Sequence, residues 1–108
     1  MEKYIKDDKV GILISEGFGA GWSTRNSKEW ALDKRIIEKF IKDGDDMQDE
    51  EWEDFMQSIG YKGYCGGYED LTLVMIPCGR LITIQEHDGL ESINTHQDLA
   101  DDKYSIIL

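Results

Sequence analysis

The chain has 108 residues and a formal net charge of −11 at neutral pH, a length that fits one domain rather than two independently folding units. Apolar residues make up 40% of it and charged residues 32%, which excludes the composition of a disordered chain. No apolar run approaches the roughly 20 residues that span a membrane, and the first ten residues contain no secretion signal. We therefore expect a single cytoplasmic domain over 1–108 that does not engage a membrane.

The first half of the chain predicts one strand and two helices. Residues 10–14 are almost wholly apolar, which is typical of a strand buried on both faces. After a glycine-rich loop, Asn26 can cap a helix that runs to about Lys42. A second helix is predicted from about Asp46 to Ser58, with Gly60 ending it. The apolar positions predicted to face the core are Trp30, Leu32, Ile36, Ile37, Phe40 and Ile41 in the first helix, and Trp52, Phe55, Met56 and Ile59 in the second.

The second half predicts mainly strands. Residues 71–76 and 81–86 have strand composition, and Pro77-Cys78-Gly79 between them predicts a hairpin over 71–86. A turn at 87–89, a short helix near 95–100 and a last strand over 104–108 complete the prediction. The expected fold class is α+β, in which a small mixed or antiparallel sheet is packed on one side by two helices.

The strongest functional signal is a run of acidic residues. Eight carboxylates fall within twelve residues without a Lys or Arg, and they account for most of the net charge. Such a surface attracts a basic partner and repels nucleic acid. The alternatives are a solvated helix face and a calcium loop, although Gln48 stands where a calcium loop needs glycine. The candidate partner-binding residues are Asp43, Asp45, Asp46, Asp49, Glu50, Glu51, Glu53 and Asp54.

The glycine-rich segment provides an alternative site. Backbone N–H groups in such a loop can cradle an anion, so an anionic or nucleotide-like metabolite could bind there. The spacing matches neither the dinucleotide-binding nor the Walker motif, and the other interpretation is a turn whose Phe18 and Trp22 cover the core. The candidate ligand-binding residues are Gly19, Gly21, Trp22, Ser23, Thr24 and Arg25.

No catalytic pattern competes with these sites. His87, Asp88 and His96 show no ligand spacing for a metal, and no serine has the flanking glycines of a nucleophile elbow. We therefore expect no enzyme activity, no metal and no cofactor, with an enzyme using His87 and Asp88 as the weakest alternative. Cys65 and Cys78 lack a C-x-x-C pattern and are expected to be free thiols. The tyrosines at 61, 64 and 68 form either a binding surface or a loop with one ring in the core.

The segment Ile14-Ser15-Glu16-Gly17-Phe18-Gly19-Ala20-Gly21-Trp22-Ser23-Thr24 resembles the N-terminal signature of small bacteriophage and prophage proteins of no established function. The resemblance also takes in Gly66-Gly67 and residues 71–84, and it implies no catalytic residues. A phage origin implies the host bacterial cytoplasm. By analogy with phage anti-defence proteins, including anti-CRISPR proteins and DNA mimics, we expect an acidic inhibitor that occludes a basic, nucleic-acid-binding host protein and does not itself bind nucleic acid.

Overall fold

The computed structural model describes residues 2–16, 22–23, 28–43, 47–62, 71–87, 90–96 and 106–108. These residues form an α+β fold, which confirms the predicted class, but the strands make two three-stranded antiparallel sheets instead of one. The sheet orders are β1-β2-β3 and β5-β4-β6. The elements are β1 Ile5–Lys6, β2 Lys9–Ser15, a 3₁₀ helix Lys28–Leu32, α1 Lys34–Asp43, α2 Asp49–Ser58, β3 Leu71–Pro77, β4 Leu81–His87, β5 Leu90–His96 and β6 Ile106–Ile107.

The first sheet is built around β2, which begins after a two-residue turn from β1. Both turn residues, Asp7 and Asp8, have positive φ angles of 54° and 63°, as a type I′ hairpin turn requires. Aspartate tolerates this conformation better than most residues do. β2 then pairs with β3 along its whole length, from Lys9 opposite Pro77 to Ser15 opposite Leu71. The predicted strand over 10–14 is confirmed and is slightly longer than expected.

β2 is buried on both faces, as its apolar composition predicts. A Cβ atom at Gly11 would lie 3.4 Å from the Cδ1 atom of Ile37, so this face of β2 packs against α1. Side chains alternate along a strand, and Val10 and Ile12 therefore point the other way, yet neither is exposed to solvent. β2 also contacts β5 of the second sheet. The core thus lies on both sides of this strand.

The predicted hairpin over 71–86 is wrong. Gly79 does turn the chain, with a φ of 86°, but β3 pairs with β2 while β4 pairs with β5 and β6. The hairpin lies one strand later, where His87 pairs with Leu90 and leaves two residues, Asp88-Gly89, between the strands. The apolar pattern of two segments around a turn is the same whether they pair with each other or with strands elsewhere, but the dipeptide Asp88-Gly89 is a strong hairpin signal and favours the observed arrangement.

The first predicted helix is interrupted. Residues 28–32 form a 3₁₀ helix, and the α-helix begins only after Asp33. Asp33 is the residue that starts it, because its Oδ1 atom accepts a hydrogen bond of 2.8 Å from the backbone N–H of Arg35. Ile41 is also wrong as a core residue, since its side chain is 46% exposed. The predicted cap Asn26 lies outside the described residues.

In the C-terminal part of the chain, the predicted helix is wrong at its start and the predicted last strand is confirmed. Residues 95 and 96 belong to β5, so a helix cannot begin there, and residues 97–100 lie outside the described part of the chain. The predicted last strand is confirmed at Ile106–Ile107, where β6 pairs with the start of β4. Leu108 continues this contact, because its backbone N–H donates to the carbonyl of Arg80 at 2.9 Å.

Candidate binding surface

α2 carries the acidic candidates, and its inner face attaches it to the core. Trp52 and Met56 are buried, while Phe55 and Ile59 are partly buried, as their helical spacing predicts. The helix ends at a Schellman motif in which the N–H of Tyr61 donates to the carbonyl of Met56 at 3.0 Å. Gly60 takes the positive φ, 93°, that this ending requires.

Aromatic contacts join α2 to α1. The rings of Phe40 and Trp52 meet edge to face with centroids 6.5 Å apart, and the Trp52 and Phe55 rings are 6.2 Å apart. The ammonium of Lys39 lies 5.6 Å from the centroid of the Phe55 ring. The aromatic side chains of α2 are therefore used for packing within the molecule, where Trp52 contacts Phe40 of α1.

The outer face of α2 consists of unpaired carboxylates. Five acidic side chains are exposed, and within the described ranges none of them has a Lys, Arg or His nitrogen within 4.0 Å. The i,i+4 spacing places like charges beside one another, at an estimated cost of about 0.2–0.5 kcal/mol per pair. Negative charge near the helix N-terminus offsets this cost by roughly 0.3–1 kcal/mol. The five residues are Asp49, Glu50, Glu51, Glu53 and Asp54.

Of the other three acidic candidates, the structure describes only Asp43, which does not lie on this face. Asp43 is the last residue of α1, is partly buried, and forms an ion pair with Lys39 one turn earlier. Its carboxylate is therefore engaged within the molecule. Asp45 and Asp46 lie outside the described residues.

The glycine-rich candidate site is described only at Trp22 and Ser23. The indole of Trp22 is fully buried, and its Nε1–H donates to the carbonyl of Leu13 at 2.9 Å. The Tyr61 hydroxyl donates to the Trp22 carbonyl at 3.0 Å, and the two rings lie 5.8 Å apart. This indole is a core side chain and is not open to a ligand ring. Gly19, Gly21, Thr24 and Arg25 lie outside the described residues, as do Tyr64 and Tyr68.

A buried carboxylate that sequence reasoning missed holds the ends of this segment. The side chain of Glu91 on β5 is 2% exposed and accepts hydrogen bonds from the backbone N–H of Ser15 at 2.8 Å and of Trp22 at 3.0 Å. Backbone donors on either side of the glycine-rich segment thus bind an anion supplied by the chain itself. The available signal was strand alternation, since Glu91 shares a face with Ile93, which packs against the core.

The two histidines considered for catalysis lie at different strand positions, while Asp88 lies outside the described residues. Leu81 pairs with His96 at one end of the β4–β5 hairpin, and His87 lies at the other end of β4. His87 is six positions along β4 from Leu81, so the backbone positions of the two histidines are about 20 Å apart. Ser23 is buried, and its hydroxyl has no hydrogen-bond partner in the described part of the chain. Among the described residues no three His, Cys, Asp or Glu side chains lie close enough to hold a metal ion.

Cys78 is exposed with a free thiol, while Cys65 lies outside the described residues. In the described part, neither helix is long and apolar enough to span a membrane.

Comparisons with protein-family models, curated proteins and solved structures found no match for this chain.

Proposed function

We propose that this protein is a non-catalytic binding protein that uses the outer face of α2 to occlude a basic surface on a nucleic-acid-binding host protein. The observation that carries the proposal is the set of five exposed, unpaired carboxylates on α2. Their helix is held by aromatic packing against α1, so the charges are presented in a defined orientation. The proposal that the chain is a phage-encoded inhibitor of a host defence protein rests on analogy with small acidic phage proteins.

The spacing of charge on α2 supports a nucleic-acid-binding partner. An α-helix rises 1.5 Å per residue, so five carboxylates in six residues give roughly one negative charge per 1.8 Å. Double-stranded DNA carries about one negative charge per 1.7 Å of its axis. A Lys- and Arg-lined groove that accepts phosphates would therefore meet a similar local charge density on this face. Attraction of this kind mainly accelerates association, and salt weakens it because exposed charges are screened beyond about 10 Å at 0.1 M.

The experiment is affinity capture from a bacterial lysate at low and high salt with three immobilised forms of the chain. The first is the unchanged protein, and the second carries Asp49→Asn, Glu50→Gln, Glu51→Gln and Glu53→Gln. The third is a control of equal net charge that neutralises exposed acids elsewhere, namely Glu16, Glu29, Glu38 and Glu86. We expect a basic nucleic-acid-binding protein to be retained at low salt by the unchanged chain and the control, and not by the α2 variant. Equal retention by all three forms would contradict the proposal.

Occlusion is tested with the captured protein after purification. If the α2 face covers the nucleic-acid-binding surface, the chain and a DNA or RNA duplex compete, and the apparent affinity for the duplex falls as chain is added. A ternary complex of chain, partner and duplex would exclude occlusion while leaving binding itself intact. No described contact favours the alternative of a small-ligand site in the glycine loop 17–25, which predicts that Arg25→Ala abolishes binding of a co-purifying metabolite.

A further inference from the structure

A groove of about 470 Å³ lies against the first sheet and the end of α1. Its size falls within the range of small-molecule sites, which are concave and mainly apolar with a few polar groups. Three of its residues come from the β1–β2 hairpin and are charged, while the others are aromatic or aliphatic. The charged residues are Lys6, Asp7 and Lys9, and the others are Tyr4, Ile41, Leu73 and Met75.

The apolar wall exists because β2 has a glycine at position 11. A Cβ atom there would lie 3.0 Å from the Cδ1 atom of Tyr4 and 3.4 Å from that of Leu73, so the absent side chain lets the tyrosine ring lie against the strand. Met75 pairs opposite Gly11 on β3 and shares a face with Leu73. Ile41, at 46% exposed, is the α1 side chain that reaches this wall without being covered by the core.

The charged residues that line the groove give it a net positive charge in an otherwise strongly acidic chain, because Lys6 and Lys9 outnumber Asp7. Lys6 and Lys9 are paired opposite each other across β1 and β2, on either side of the Asp7-Asp8 turn. Both lysines line the groove, and in the described structure neither ammonium has a carboxylate within 4.0 Å. Two like charges held opposite each other repel, and an anion between them would relieve that repulsion.

We propose that this groove binds a small amphiphilic carboxylate, with the anionic head between Lys6 and Lys9 and the hydrocarbon part against Tyr4, Leu73 and Met75. The apolar wall favours a hydrocarbon over a sugar or nucleotide, whose polar groups would be left without hydrogen bonds. The two lysines favour an anionic head over a cationic or neutral one. This site is separate from the acidic face of α2 and does not depend on the function proposed for that face.

The test compares decanoate with decyltrimethylammonium, which has the same alkyl chain and the opposite charge. Calorimetric titration should give saturable binding of one decanoate per chain and no binding of the ammonium compound. The backbone NMR signals of residues 4–6, 9 and 73–75 should shift with decanoate at the same midpoint. Equal binding of both compounds would show a non-specific apolar contact and overturn the proposal, and so would the absence of decanoate binding.

Substitutions of exposed residues test whether decanoate binds in the groove or responds only to the overall charge of the protein. The double variant Lys6→Gln, Lys9→Gln should weaken decanoate binding by roughly tenfold or more, because charge-assisted hydrogen bonds to the head are lost. The double variant Lys42→Gln, Arg80→Gln, at two exposed basic residues outside the groove, is the control matched in charge and should change affinity less than about twofold. Ile41→Glu should also abolish binding, since it places a carboxylate against the ligand, whereas Ile41→Leu should preserve it. An unchanged affinity in the double-lysine variant would contradict the assignment.

Discussion

The acidic residues of this protein form two groups: the exposed carboxylates of α2 and the buried carboxylates of Glu91 and Asp33. On α2 the carboxylates are exposed and unpaired in the described structure, so water solvates them and they contribute little to the fold. Glu91 and Asp33 are each 2% exposed, and their oxygens accept hydrogen bonds from the chain itself. A buried carboxylate must be satisfied internally, which makes it structural, whereas an exposed one remains open to a partner.

The largest effect is expected at Glu91. Glu91→Ala leaves the backbone N–H groups of Ser15 and Trp22 without their acceptor, and each buried unsatisfied donor costs about 1–3 kcal/mol. We expect the free energy of unfolding, measured by urea denaturation, to fall by about 3 kcal/mol. Glu91→Gln keeps one acceptor oxygen and should lose less. A loss below about 1 kcal/mol in the alanine variant would mean that this carboxylate does not hold β5 to β2.

Substitution of Asp33 is expected to cause a smaller loss of stability than substitution of Glu91, and this loss depends on pH. Burial acts to raise the pKa of this carboxyl group, but hydrogen bonds from the side chain and backbone of Arg35 outweigh it and hold the pKa below its ordinary value. The charged form therefore stabilises the fold above the unfolded pKa, near 3.9, and this contribution disappears as the pH falls through the lower folded pKa.

Asp33→Asn keeps a residue that can cap α1 but removes the charge and replaces the Oδ2 atom, which accepts from Arg35 Nη2, by an NH₂ group. We expect it to lower the free energy of unfolding by about 1 kcal/mol at pH 7, because Arg35 is 58% exposed and its ion pair is partly screened. Urea denaturation of both proteins between pH 7 and pH 2 should show the difference shrinking once the pH falls below about 4. A difference that stays constant across this range would exclude the charge as its cause.

The smallest effect on stability is expected on α2. Replacing Asp49, Glu50, Glu51 and Glu53 by their amides removes both helix-dipole attraction and mutual repulsion, which are of similar size. The free energy of unfolding should change by less than about 0.5 kcal/mol, while retention of a basic partner is lost. A large destabilisation would show that these carboxylates serve the fold and would remove the contrast with Glu91.

The sequence predicted the elements of this fold better than their pairing. Strand β2, helix α2 and the end of α2 at Gly60 follow from apolar periodicity and from one glycine, which are local signals. The hairpin was assigned to Pro77-Cys78-Gly79, although Asp88-Gly89 is the stronger hairpin dipeptide. The break before α1 was missed because the cap at Asp33 competes with a continuous apolar stripe from Trp30 to Ile37.

Some residues of the candidate binding surface could also be predicted from the sequence, and others could not. Trp52 and Phe55 could be placed in the core from their spacing alone, so the exposure of the five acids between and around them followed directly. Asp43 was grouped with them as a candidate, although it lies next to the end of the first predicted helix, and the structure places it on α1, where it pairs with Lys39. The groove at Tyr4 was not foreseen, because it depends on which side chain fills the space above Gly11.

By itself the sequence determined the size and charge of this protein, its α+β class and the acidic outer face of α2. These properties depend on composition and on periodicities of a few residues, which each segment carries independently of the rest. Only the tertiary structure decided that β3 and β4 belong to different sheets, that Glu91 is buried against β2, and that Lys6 and Lys9 flank an apolar groove. Each of these depends on contacts between residues far apart in the chain, and no local pattern encodes which distant partner is chosen.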